Sequence, residues 1–362
     1  MLRGSYREMG RQYGALLGAR MKAMHEAAER AFIELAPTLH ASLADIEAFS
    51  LSQAALYPRR LQEVTAGISE ASGLGQRQLA LIDQVVPASV VAANRTLSRT
   101  FCSSIVAWGP YTGGGPLLMG RSFDFVRQFL AFNPYLSVIV FNPTDGSVPI
   151  ANLCYAGQTG GIQMFNAAGL AVESDDGSQI TAPNNTTFVD RVPFTALFAE
   201  LGLDNATPEQ LDAALRTMRF NYPLLCNAAD PRQGFTYEVG TVDAIRRGDV
   251  AEGLQVIANT PIDAHWAMPP RKGPPDPRRD NLITLADRLK GRLDLAAMQS
   301  ILGTSVLDGG ATVTERETAG AQDSGLTIYQ FIYVPISRQL YVSLADRGQW
   351  TPIGLAPYFQ PT

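Results

Sequence analysis

Cys102 heads the stretch Cys102-Ser103-Ser104-Ile105-Val106, and Gly120-Arg121-Ser122-Phe123-Asp124-Phe125 follows a turn built on Gly113-Gly114-Gly115. A small nucleophile, a cation and a carboxylate thus fall on two neighbouring runs of strand-forming residues. A thiol attacks a carbonyl as its thiolate, and at an ordinary pKa of about 8.5 only a few per cent is ionised near neutrality. It needs a base. The 3 histidines, His25, His40 and His265, stand in no local thiol-protease signature. Another base appears if the Phe101–Cys102 bond is cut, because the freed α-amine, at about 7.7–8.0, is suited to accept a proton. Two chemistries are open at this point: a Cys–His hydrolase using His265, and a chain that uses its own N-terminal cysteine. A third reading leaves Cys102 as a buried small apolar residue in a non-catalytic binding protein.

The elements that must position these residues change character near residue 101. Before it the chain reads as helical. Met9, Tyr13, Leu16, Leu17, Met21 and Met24 form one stripe, and Leu61, Val64, Ile68 and Ala71 form a second that ends at Gly73. Leu79, Ile82, Val85 and Val86 form a third, stopped by Pro87. After it come short β-rich runs at 104–108, 117–121, 135–141, 149–156, 160–165 and 170–174, punctuated by glycine turns. Helices are expected at 192–201, after the Thr207-Pro208-Glu209-Gln210 start signal, and at 280–289 and 295–302. Further strands are expected at 224–227, 235–239, 254–258, 327–334 and 339–344. This order predicts an α+β sandwich with helices outside two antiparallel sheets.

Composition narrows the class. At 362 residues, 46% hydrophobic and 17% charged, the chain can bury a large core and is not a disordered one. A net charge of −5 argues against nucleic acid or an anionic membrane as the main partner. No apolar run approaches the roughly 20 residues that span a bilayer, so a soluble protein is expected. The compartment stays open, since the abrupt start at Gly4-Ser5-Tyr6 suggests that a leader has been trimmed. Homo-oligomers are compatible with this composition. The 3 cysteines form no zinc pattern, and a Cys154–Cys226 bridge is left open.

The order of motifs resembles that of the cysteine N-terminal nucleophile (Ntn) hydrolases, the group of choloylglycine hydrolases, penicillin V acylases, acid ceramidase and isopenicillin N acyltransferase. The resemblance rests on Cys102-Ser103-Ser104 through Gly120-Arg121-Ser122-Phe123-Asp124-Phe125, then Tyr155-Ala156-Gly157 through Asn166-Ala167-Ala168-Gly169-Leu170. It continues in Ala258-Asn259-Thr260-Pro261 and in Arg278 or Arg279 ahead of a helix. The opening Gly4-Ser5-Tyr6-Arg7-Glu8-Met9-Gly10-Arg11-Gln12-Tyr13-Gly14 is similar to that of the acyltransferase precursor.

The resemblance implies a four-layer αββα Ntn-hydrolase sandwich, with 1–101 as a helical precursor segment and 102–362 as the catalytic fragment after autocleavage at Phe101–Cys102, the two remaining one globular unit. It implies a cysteine amidohydrolase or acyltransferase acting on a small N-acyl amide or acyl thioester, with neither metal nor organic cofactor. Cys102 would supply thiol and amine, Asp124 would orient the amine, Arg121 would sit beside the thiol, Asn259 would donate to the oxyanion and Arg278 would brace the site. Phe123 and Phe125 would wall the acyl pocket. Relatives often carry Asn or Tyr near Asp175-Asp176, so Asp176 puts a carboxylate where it would favour polar or cationic substrates.

Overall fold

Ser5 Oγ accepts a hydrogen bond from the Glu8 main chain and the Glu8 carboxylate accepts one from the Ser5 main chain, a capping box that starts the long helix α1 (Tyr6–Leu39). The computed structural model describes residues 1–93, 102–180, 190–247, 252–267, 276–318, 325–345 and 347–360. Phe101, the residue before the expected cut, lies outside them. Helices α2 (Leu43–Ala55), α3 (Arg59–Ser72), α4 (Gln76–Asp83) and α5 (Val85–Ala93) complete the N-terminal segment.

The expected stripe on α1 holds at Met9, Tyr13, Met21 and Met24, but Leu16 is 66% exposed and lies off it. Glycines widen the buried face. A Cβ on Gly10 would come within 2.1 Å of the Val64 carbonyl, and one on Gly67 within 2.1 Å of that of Arg7, so α1 and α3 cross backbone to backbone. Gly73, at φ 74, closes α3 as expected. Pro87 does not stop a helix. It sits in the first turn of α5, where a missing N–H is tolerated.

Two sheets follow. The first is eight-stranded in the order β1 (Leu2–Gly4), β4 (Leu136–Pro143), β5 (Ile150–Tyr155), β6 (Gln163–Asn166), β7 (Ala171–Asp176), β8 (Leu224–Ala229), β9 (Gly234–Val239), β10 (Ala244–Arg246). The second is six-stranded in the order β11 (Leu254–Ile257), β2 (Ser103–Ala107), β3 (Leu118–Val126), β12 (Gly325–Val334), β13 (Gln339–Leu344), β14 (Trp350–Gly354). Pairing is antiparallel except at β1, which lies parallel to β4 and was not legible as a strand. The short edge strands β10 and β14 were not anticipated either.

Helices α6 (Phe194–Asp204) and α7 (Pro208–Thr217) lie against the first sheet, and α8 (Arg278–Arg288) and α9 (Leu295–Gly303) against the second. The layers are therefore helix, sheet, sheet, helix, the expected αββα order. Phe165, Val172, Ala228 and Phe331 belong to the central core; Ile105, Leu118 and Val256 pack with Leu282, Met298 and Leu302 beneath α8 and α9. Cys154 and Cys226 are buried free thiols on β5 and β8, so there is no disulfide between them.

Candidate active site

β3 does not end at Arg121. It runs on to Val126 with all of its residues buried, and strand alternation therefore divides the motif between two layers. Arg121, Phe123 and Phe125 point toward the first sheet. Ser122 and Asp124 point toward the α8–α9 layer, where Ser122 meets Gln330 and Asp124 meets Arg278. Register sets Ser104 of β2 opposite Arg121 and Ser103 opposite Ser122, which leaves Cys102 at the end of the strand between the two layers.

Arg121 comes at Cys102 from the inner side, with Nη2 3.3 Å from Sγ. The guanidinium is 1% exposed and fully engaged, which a buried cation requires. Nη1 donates to Gln163 Oε1 at 2.7 Å, and Nε lies 3.0 Å from Glu173 Oε2 and 3.3 Å from Asp175 Oδ1. Burial alone works against its charge, but Cys102, Glu173 and Asp175 outweigh that and hold it firmly protonated.

Arg278 approaches from the outer layer. Nη1 donates to the Cys102 carbonyl at 2.8 Å and to Asp124 Oδ2 at 3.3 Å; Nη2 donates to Asn259 Oδ1 at 2.9 Å and to Asp276 at 2.8 Å. Thr327 Oγ1 donates to the other Asp124 oxygen at 2.5 Å. Arg278 donates to the Cys102 carbonyl, whereas the part-exposed Arg279 lies 3.8 Å from Asp280. Asn259, at φ 56, donates from Nδ2 to the Asp176 carbonyl at 3.1 Å.

Burial pushes the Cys102 thiol well up, with Arg121 pulling it down and Asp175 and Asp124 adding to the rise. Burial also raises Asp124, against the pull of Arg278 and Thr327. Cys102 is 4% exposed. Its φ of 67 lies in the left-handed region, a strained conformation for a side chain of this kind.

Among the expected site residues, Cys102, Arg121, Asp124, Asn259 and Arg278 are brought into one hydrogen-bonded cluster. Phe123 and Phe125 stack at 5.6 Å and pack with Phe129, Tyr155 and Tyr329 immediately beyond Arg121. Asp176 meets the cluster through its main-chain carbonyl, while its carboxylate is taken by Tyr222 and Ser178. His265 lies apart from these contacts, its Nε2 2.9 Å from Asp243 on a part-exposed surface.

Sequence reasoning missed Gln163, Glu173, Thr327 and Asp276. Only Asp276 carried a signal, as an acid beside the Arg278-Arg279 pair. A cavity of about 480 Å³ is lined by Leu130, Leu326, Thr327, Gln330 and Trp350, and of these Thr327 donates to Asp124.

No protein-family profile matches the sequence, and a search of curated proteins finds no match. Solved structures similar to the chain include an N-acylethanolamine-hydrolyzing acid amidase orthologue of Caenorhabditis elegans, at 18% identity and TM-score 0.44, covering 65% of this chain and 93% of that one. A variant of the conjugated bile acid hydrolase from Clostridium perfringens is similar at 14% identity and TM-score 0.48, with 71% and 93% covered. Penicillin V acylase from Agrobacterium tumefaciens is similar at 12% identity and TM-score 0.44, with 70% and 86% covered. What each of those proteins hydrolyses is a property of that protein; the chemistry of this chain has to be argued from its own residues.

Proposed function

We propose that the protein is an autoprocessed cysteine amidohydrolase or acyltransferase acting on linear amides through a Cys102 thioester. The observation that carries this reading is the convergence of Arg121 on the Cys102 sulfur and of Arg278 on its carbonyl, with Asp124 and Asn259 held by the same Arg278, immediately before a buried strand.

In the intact chain the thiol adds to the Phe101 carbonyl, the Cys102 nitrogen takes the thiol proton, and the chain passes to an ester on sulfur. The Phe101 C–N bond breaks in that step and frees the amine, and water then hydrolyses the thioester to release the Phe101 carboxylate and the Cys102 thiol. The left-handed strain at Cys102 favours a reaction that releases it. In the cut enzyme the α-amine takes the thiol proton, the thiolate attacks the substrate carbonyl, and the ammonium protonates the leaving amine. Asp124, held by Arg278 and Thr327, is assigned the part of orienting that ammonium. Asn259 Nδ2 keeps one hydrogen on the Asp176 carbonyl and offers the other to the oxyanion, which is the role that makes its orientation by Arg278 matter. Water or an acceptor amine then takes the acyl group.

The substrate is an N-acyl amide with an apolar acyl group. The ring cluster of Phe123 and Phe125, on the same face of β3 as Arg121, gives the site an apolar wall. Asp176 is assigned a part in binding through the carbonyl it presents beside Asn259.

Intact-mass analysis and turnover of N-acyl amides test the proposal. Wild-type protein is expected as 1–101 and 102–362, with iodoacetamide labelling Cys102 and ending turnover; Cys102→Ala is expected uncut and inactive. Processing and turnover that survive Cys102→Ala would sink the proposal. A single uncut species that is active and loses its activity in His265→Ala points instead to the Cys–His alternative.

A further inference from the structure

Arg121 sits between two acids where one would neutralise it. Glu173 and Asp175 are two apart on β7 and so share the face turned toward the second sheet. Both are buried. With both ionised, Glu173 Oε2 would have only its ion pair with Arg121, Asp175 Oδ2 would accept no hydrogen bond among the described residues, and two anions would stand on one strand face out of water. One proton shared across the pair would remove one of the two buried charges and supply a donor to the unpartnered oxygen.

The groups facing this pair come from every layer around it. Arg121 is supplied by β3, and Ser104 Oγ of β2 donates to Glu173 Oε1 at 2.6 Å. Cys226 and the Asn227 main chain come from β8. Gln163 of β6 holds the far side of Arg121, Cys102 stands beyond the guanidinium, and Arg278 of α8 acts on Asp175 from further off.

We propose that Glu173 and Asp175 hold one proton between them, and that this acid pair positions Arg121 and sets how strongly its charge acts on the Cys102 thiol. The inference rests on the reading of Cys102 as the nucleophile. With the shared proton in place, one cation faces one negative charge, and the guanidinium still favours a thiolate at 3.3 Å. When the proton leaves to solvent, one cation faces two carboxylates and a thiolate beside them is disfavoured. Burial raises both carboxyls, and Glu173 raises Asp175 further, so the proton is kept above the ordinary carboxylate range of about 4 and lost as pH rises. The pair therefore contributes a fall in kcat/KM on the alkaline side. Glu173 and Asp175 are positioning residues, since they act through Arg121.

The test is the pH profile of kcat/KM for processed wild-type enzyme, Glu173→Gln and Asp175→Asn. Both replacements are close in shape, and either leaves a single carboxylate facing Arg121 with no proton to share. The alkaline fall is expected to move up by about one pH unit or more in each, which is roughly tenfold in relative activity on that limb. A purely structural role would lower activity at every pH and leave the limb where it is. A limb at the wild-type position in the folded variants, or a wild-type profile with no such limb, overturns the proposal. Cys102→Ala measured alongside separates the two ideas. Turnover lost there with an unmoved limb sinks the acid pair alone, whereas turnover kept there sinks the nucleophile itself.

Discussion

Asn259 and Arg278 form a unit at the scale of single residues. The Arg278 guanidinium holds Asn259 Oδ1, and that contact fixes where the Nδ2 donor points. If Nδ2 serves the oxyanion, Asn259→Ala lowers kcat by about 10²–10³-fold with a smaller change in KM, read by steady-state kinetics on an N-acyl amide. Arg278 bridges the Cys102 carbonyl, Asp124, Asn259 and Asp276, and only a planar fork reaches so many acceptors. Arg278→Lys keeps the charge and loses the fork, so kcat is expected to fall by roughly 10²-fold while the unfolding temperature changes little. Equal activity in Arg278→Lys would mean that the charge alone matters.

At the scale of elements, the motif that opens the chain is explained by packing. Gly4 and Ser5 start α1, Glu8 caps it, and Gly10 and Gly14 let it cross α3 at backbone contact. A methyl group at Gly67 has no space because it meets the Arg7 carbonyl and the Arg11 nitrogen. Gly67→Ala is thus expected to cost about 1–3 kcal/mol, measured by denaturant unfolding. An unchanged midpoint would show that the helices part freely. The strands tell a similar story: β3, expected over 117–121 with Asp124 near its end, runs on to Val126. Burial on both faces removes the polar alternation that marks a strand at a solvent surface.

On the scale of the whole molecule, the N-terminal segment is built into the rest. β1 extends the first sheet beside β4, and Tyr13 Oη accepts from the Gly157 main chain at 2.9 Å. Asp83 accepts from Thr159 N at 2.8 Å and from Thr159 Oγ1 at 2.9 Å, anchoring the loop that leads to Gln163. After the proposed cut the two fragments are therefore expected to elute together at the mass of the whole chain, 39.1 kDa, and to separate only in denaturant. Separation in native buffer would contradict the role given to β1 and Asp83.

What the sequence by itself determined is local. The caps at Ser5 and Thr207, the end of α3 at Gly73, most strand positions and the order of Cys102, Arg121, Asp124 and Asn259 follow from neighbours a few residues away. Only the tertiary structure decided between Arg278 and Arg279, released Cys154 and Cys226 from a bridge, and set Glu173, Gln163 and Thr327 around the cluster. The reason is register. Which residue of β7 faces β3, and which of β12 lies opposite Asp124, depends on pairing between strands far apart in the chain, and a shift of one residue turns each side chain to the other layer.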